Sequence, residues 1–108
     1  MNEKYAHEPK PFDPADYPAL REFFPAYFHQ DFTLEYGSPV AAVRSFLADA
    51  SGDEILQVKE EWKAFRGNFR GQPFAQVQSA IVALGSAWQP QNPGQLEQLD
   101  EILSHAEA

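Results

Sequence analysis

Apolar residues recur along this chain at intervals of three and four, the spacing that places side chains on one face of an α-helix. The first such run extends from about Tyr17 to Phe28, with Leu20, Phe23, Phe24, Tyr27 and Phe28 on one face. Asp16 is placed to cap it, and Pro18 stands near the first position, where a missing backbone donor costs nothing. Pro25 crowds the carbonyl four residues earlier, so the helix should kink there or divide in two, and a kink is expected. Ser38-Pro39 opens a second helix, buried through Val40, Val43, Phe46, Leu47 and Ala50 and stopped by Ser51-Gly52. A third, capped by Asp53, buries Ile55, Val58, Trp62, Phe65 and Phe69. Gly67 to Gln72 suggests a loop before Pro73 opens a fourth helix, with Phe74, Val77, Ile81, Leu84 and Trp88 inward. After a Pro90 to Gly94 connection, Leu96, Leu99, Ile102 and Leu103 mark a last helix, with Asn92 its candidate cap.

The stretch Phe32 to Tyr36 suggests at most a short extended piece, and one strand has no sheet to join. The expected fold is therefore all-α, a compact bundle of about five short amphipathic helices burying their stripes against one another. Residues 1–15, with Pro9, Pro11 and Pro14, are expected to form a mobile tail, and residues 16–108 one helical domain. The amino-terminal stretch lacks the apolar run of a secretory signal, and no window approaches the ~18 apolar residues of a membrane span. Without cysteine, neither disulfides nor thiolate metal sites are available, which suits a cytosolic protein.

Charge narrows the function classes. Sixteen acidic residues against eight basic ones leave a net of -8, a balance that repels nucleic acid and anionic lipid and attracts basic partners. From Pro11 to Val58, Asp13, Asp16, Glu22, Asp31, Glu35, Asp49, Asp53 and Glu54 are opposed only by Arg21 and Arg44, and no Lys or Arg follows Gly71. Lys59, Lys63, Arg66 and Arg70 interrupt this pattern as one stripe along the third helix.

Catalytic signals are absent. No serine sits in a nucleophile elbow, and Gly67 and Gly71 are isolated, without the Lys-Ser or Lys-Thr that completes a phosphate loop. His29 and Asp31 offer two metal donors where a dedicated site usually requires three or four, so a helix-end role is expected. Adjacent Glu60 and Glu61 point in different directions on a helix and suggest a solvated face, not a glycosidase pair. The aromatics suggest core packing. Neither a metal nor another cofactor is expected, and the chain suggests a binding protein, not an enzyme.

The stretch YPALREFFPAYFHQDFTLEYGSPVAAVRSFLAD, from Tyr17 to Asp49, resembles the immunity proteins of bacterial contact-dependent growth inhibition systems, the CdiI type. The likeness rests on an aromatic helix ending in Tyr27, Phe28, His29, Gln30 and Asp31, an acidic loop with Glu35, and a helix opened by Ser38 and Pro39. It implies a cytoplasmic antidote that binds the toxic carboxyl-terminal domain of a matching effector and blocks it without catalysis. Such toxins are often nucleases, whose basic surfaces would meet an anionic antidote at a rate that falls as salt rises. Asp31, Glu35, Asp49, Asp53, Glu54 and Glu60 are the expected contact residues, while the Tyr27 to Asp31 motif and Ser38-Pro39 are expected to be architectural. A monomer is expected, binding a protein toxin and neither nucleic acid nor membrane. The alternative is a small acidic adaptor for another protein or, through Lys59, Lys63, Arg66 and Arg70, for an anionic partner.

Overall fold

The computed structural model describes residues 11–106, and these contain helices and no strand. A 3-10 turn at Pro14–Asp16 leads into α1 (Pro18–Tyr27), followed by α2 (Phe32–Tyr36), α3 (Pro39–Asp49), α4 (Gly52–Asn68), α5 (Phe74–Ala83) and α6 (Pro93–His105). The all-α expectation holds, with one more helix than anticipated. Phe32 to Tyr36 is a helical turn and not an extended piece, because Phe32 is buried against Phe28 while Gly37 closes the turn at a φ of 93°. Of the stretch expected to be a tail, residues 1–10 lie outside those described. Residues 11–15 are packed down: Asp13 caps the 3-10 turn, and the Phe12 ring meets Tyr17, Phe65 and Phe69 at centroid distances of 5.5 to 5.9 Å.

The core is built around α1. Leu20, Phe24 and Phe28 are fully buried, and α1 packs on α3 and α4 while α3 and α4 pack on α6. Phe23 meets Phe46 of α3 edge-on at 4.9 Å, and Phe24 faces Trp62 of α4. Phe28 lies 5.0 Å from Trp88, which belongs not to α5, as the spacing suggested, but to the connection after it. There the buried Ser86 hydroxyl donates to the Trp88 carbonyl and accepts from the Trp88 N–H, so that no polar group is stranded.

Helix ends revise several sequence expectations. α1 continues through Pro25 as one helix and ends two residues later, the Phe28 N–H bonding the Phe24 carbonyl at 2.7 Å. The Pro25 ring is held against Gly85, whose φ of 102° and lack of a side chain permit the approach; a Cβ there would lie 3.1 Å from Pro25 Cδ. Asp16 ends the 3-10 turn instead of capping α1, whose N-cap Tyr17 supplies no side-chain bond. The cap comes from α4: Glu61 Oε1 accepts from the Ala19 N–H at 2.8 Å and the Leu20 N–H at 3.0 Å. Glu61 is thus a structural residue and not part of a solvated face.

Ser51, not Asp53, caps α4. Its hydroxyl accepts from the Glu54 N–H and the Glu54 carboxylate accepts from the Ser51 N–H, a reciprocal capping box that begins the helix at Gly52. α4 also outlasts its expected end, carrying Gly67 within its last turn. Ser38 and Asn92 cap α3 and α6 as expected, each with proline at the first helical position.

Glu61→Ala is expected to lower stability by about 1–2 kcal/mol through loss of a two-pronged cap, whereas Glu60→Ala changes it by less than about 0.5 kcal/mol. Urea unfolding followed by circular dichroism checks both. Gly85→Ala is expected to cost about 1–2 kcal/mol from its backbone conformation, with ring contact adding to this.

Candidate functional site

Two grooves flank α4, and they differ in sign. The first, an open depression of about 630 Å³, lies where α1, the end of α3 and the start of α4 converge. Its floor is apolar, formed by Ala19, Phe23, Ala26, Phe46 and Val58. Its rim carries Glu22, Asp49, Asp53, Glu54 and Glu61, and no Lys, Arg or His lines it. A low-dielectric floor beneath converging carboxylates concentrates a negative field, the arrangement that draws in a cation-bearing surface and then desolvates its apolar parts.

The five carboxylates are not equivalent. Glu61 is held on the α1 backbone and Glu54 in the α4 capping box. Asp49 lies at the long limit of a hydrogen bond from the Tyr27 hydroxyl, 3.5 Å. Burial raises the Tyr27 phenol above its ordinary range, and the Asp49 charge raises it further, so the phenol stays a neutral donor at the groove edge. Glu22 and Asp53 make no side-chain hydrogen bond or ion pair among the described residues and are the carboxylates most open to a partner.

The structure therefore brings Asp49, Asp53 and Glu54 of the expected contact residues into one site, with Glu22 and Glu61 beside them. Glu60 lies on the other side of α4, and Asp31 and Glu35 stand at α2. Glu61 was out of reach of the sequence because its bonds cross 41 and 42 residues. Locally the sequence pointed to Asp16 as the cap of α1, which the structure places in the 3-10 turn instead.

The Tyr27 to Asp31 motif closes the end of α1. Tyr27 stacks on Tyr36 and meets Phe46 edge-on, while Phe28 is buried and its carbonyl accepts from the Ala87 N–H at 2.9 Å. His29 Nδ1 accepts from the Asp31 N–H at 3.1 Å, which assigns the ring proton to Nε2, and Nε2 donates to Glu35 Oε1 at 2.9 Å. The Asp31 carboxylate is exposed, and Gln30 is exposed on the same turn. The Tyr36 phenol is also raised, first by burial and then by the neighbouring Glu35 charge. No group of three or more potential metal donors converges among the described residues.

The second groove, of about 830 Å³, runs between α4 and α6 and contains the basic stripe. Two of the four cations serve the fold. Arg66 meets Asp100 through a two-pronged contact, Nε to Oδ1 and Nη2 to Oδ2, both at 2.9 Å, and Trp62 Nε1 donates to the same Oδ1 at 2.8 Å. Lys59 donates to the Ala106 carbonyl at the end of α6.

A protein-family model described as CdiI immunity protein matches residues 16–101, most of the chain and nearly all of the helical body. Neither a curated protein nor a solved structure gives a match. Among the described residues no helix is long and apolar enough to cross a membrane.

The raised Tyr27 phenol carries an expectation about alkaline pH. A folded-state value above the unfolded one means that its contribution to stability is intact below pH about 10 and is lost as pH rises through the folded value. Phenolate absorbance during an alkaline titration is expected to show Tyr27 ionising earlier in Asp49→Asn than in the native chain. Burial persists in that variant, so the shift is reduced and not abolished.

Proposed function

The chain belongs to the CdiI immunity protein family, a membership that suggests a toxin-neutralising protein, and we propose that it neutralises by inserting a cationic segment of its toxin into the acidic groove beside α4. The observation that carries this reading is the groove itself: five carboxylates and no cation around an apolar floor. Its partner is a basic toxin domain of the kind a nuclease presents to phosphate, and an anionic antidote would meet it quickly and exclude nucleic acid from it. Blocking is steric and electrostatic, forms no covalent bond and calls for no cofactor. The antidote acts as a cytoplasmic monomer.

Within the groove the roles divide. Glu22, Asp49 and Asp53 engage the partner's cations, and Phe23, Phe46 and Val58 give the apolar surface against which its side-chain stems pack. Glu54 and Glu61 add negative field while holding the helix ends that shape the site. Asp31 and Glu35 form an outlying acidic edge at α2, which contributes to steering more than to docking.

Co-expression with the toxin domain encoded beside it provides the test. The native chain is expected to restore growth and to elute with that domain from a sizing column. Reversing Glu22, Asp49 and Asp53 to lysine is expected to lower affinity by about a hundredfold with an unchanged circular dichroism spectrum, whereas Glu97→Lys on the exposed side of α6 leaves affinity within about twofold. Association should slow as salt rises from about 0.05 to 0.3 M, because the Debye length contracts from about 14 to about 6 Å and steering at a distance is lost. Full protection by the triple variant would refute the assignment.

A further inference from the structure

The groove between α4 and α6 remains after the acidic site is accounted for. The described residues contain six Lys or Arg, and four of them line this one depression. Lys59 and Arg66 are engaged, with Ala106 and with Asp100. Lys63 and Arg70 are exposed and make no ion pair or side-chain hydrogen bond among the described residues. Around them lies apolar surface: Leu56 is 45% exposed, Phe69 is half-buried, and Trp62 and Leu103 form part of the wall.

We propose that this groove is a second docking surface, and that its occupant is an acidic segment of a protein partner with apolar residues between its carboxylates. Lys63 and Arg70 stand about two helical turns apart, roughly 10 Å along α4 and its exit. Carboxylates at positions one and eight of a helical segment, or one and four of an extended one, have that separation. Phe69, half-buried beside Arg70, and Leu56, exposed two turns before Lys63, supply contact area that a purely ionic attraction would leave unused.

Charge counting argues against a nucleic acid in the same place. Affinity for a polyanion grows with the number of phosphates neutralised, and among the described residues two cations of this groove, Lys63 and Arg70, are free to neutralise any. A short acidic segment needs no more than two. The net charge of -8 does not forbid it, because the acidic groove lies across α4. A helix is about 10 Å wide with its side chains, and the Debye length at physiological salt is about 8 Å. The distant acids are thus weakened by the solvent around the helix, and the lining of the groove itself sets four cations against Glu60 and the Arg66-bound Asp100.

The probe is a fluorescein-labelled 15-residue peptide of Glu and Leu with glutamates seven apart. Binding to the full chain is followed by anisotropy and by Trp62 emission, with Trp88→Phe as background. Saturable binding is expected, weakened at least tenfold by the double variant Lys63→Glu/Arg70→Glu and unchanged by Glu22→Lys/Asp53→Lys. Both pairs are exposed, and circular dichroism verifies that each variant folds. The proposal is overturned if the peptide does not bind, if the Lys63/Arg70 variant binds it as the native chain does, or if the acidic-groove variant loses it instead. It is equally overturned if a 15-nucleotide single strand binds more tightly than the peptide, or if sedimentation shows these cations joining two copies of the chain. Because the acidic-groove pair is varied separately, failure here leaves the toxin-binding reading standing, and the reverse also holds.

Discussion

Helix α1 is ten residues long, carries a proline in its interior and has no cap of its own, so it is a poor helix in isolation. What fixes it is burial of one aromatic face together with a carboxylate reaching across from α4. Leu20, Phe24 and Phe28 are wholly enclosed, and losing any one of the phenylalanines would remove about 3–5 kcal/mol, a large part of a small domain's stability. Glu61 supplies the two hydrogen bonds that the first turn otherwise lacks. Because α3, α4 and the segment around Trp88 all meet this helix, its position sets theirs.

The same arrangement sorts charge. α4 buries Ile55, Val58, Trp62 and Phe65 and leaves two flanks exposed to the grooves beside it. One flank, with Glu54, Gln57 and Glu61, closes the acidic groove with α1 and α3; the other, with Lys59, Lys63 and Arg66, faces α6. Residues two apart on a helix face nearly opposite ways, which puts Glu61 across α4 from Lys59 and Lys63, while Glu60 stays on the basic flank. Asp100 then couples the basic flank to α6 and gives the buried indole of Trp62 its acceptor, so part of the stripe is internal structure.

Architecture accounts for much of the motif from Tyr27 to Asp31. Phe28 is core, Tyr27 and Tyr36 form an aromatic wall, and His29 joins the Asp31 backbone to the Glu35 side chain. A signature of this kind preserves the turn between α1 and α2, which holds Tyr27 beside the acidic groove. The acidic groove lies next to that turn, and on its rim Glu22 and Asp53 make no side-chain hydrogen bond or ion pair among the described residues.

The sequence by itself determined the helical class, four of the five long helices to within a few residues, the caps at Ser38 and Asn92, and the acidic character of the chain. All of these follow from spacing of three and four and from local hydrogen bonds, which act over a few residues. The helical spacing runs on from α5 to Trp88, although the helix ends at Ala83, Gly85 turns the chain and the tryptophan is buried from the connection. Only the tertiary structure decided that Glu61 caps α1, that Arg66 and Trp62 share Asp100, and that Glu22, Asp49 and Asp53 share one groove. Glu61 lies 41 and 42 positions from the groups it caps, Asp100 lies 34 and 38 from Arg66 and Trp62, and Glu22 is likewise remote in the chain from Asp49 and Asp53. Which acids converge depends on how helices cross, and crossing is set by the packing of many side chains at once, not by any pattern within a single helix.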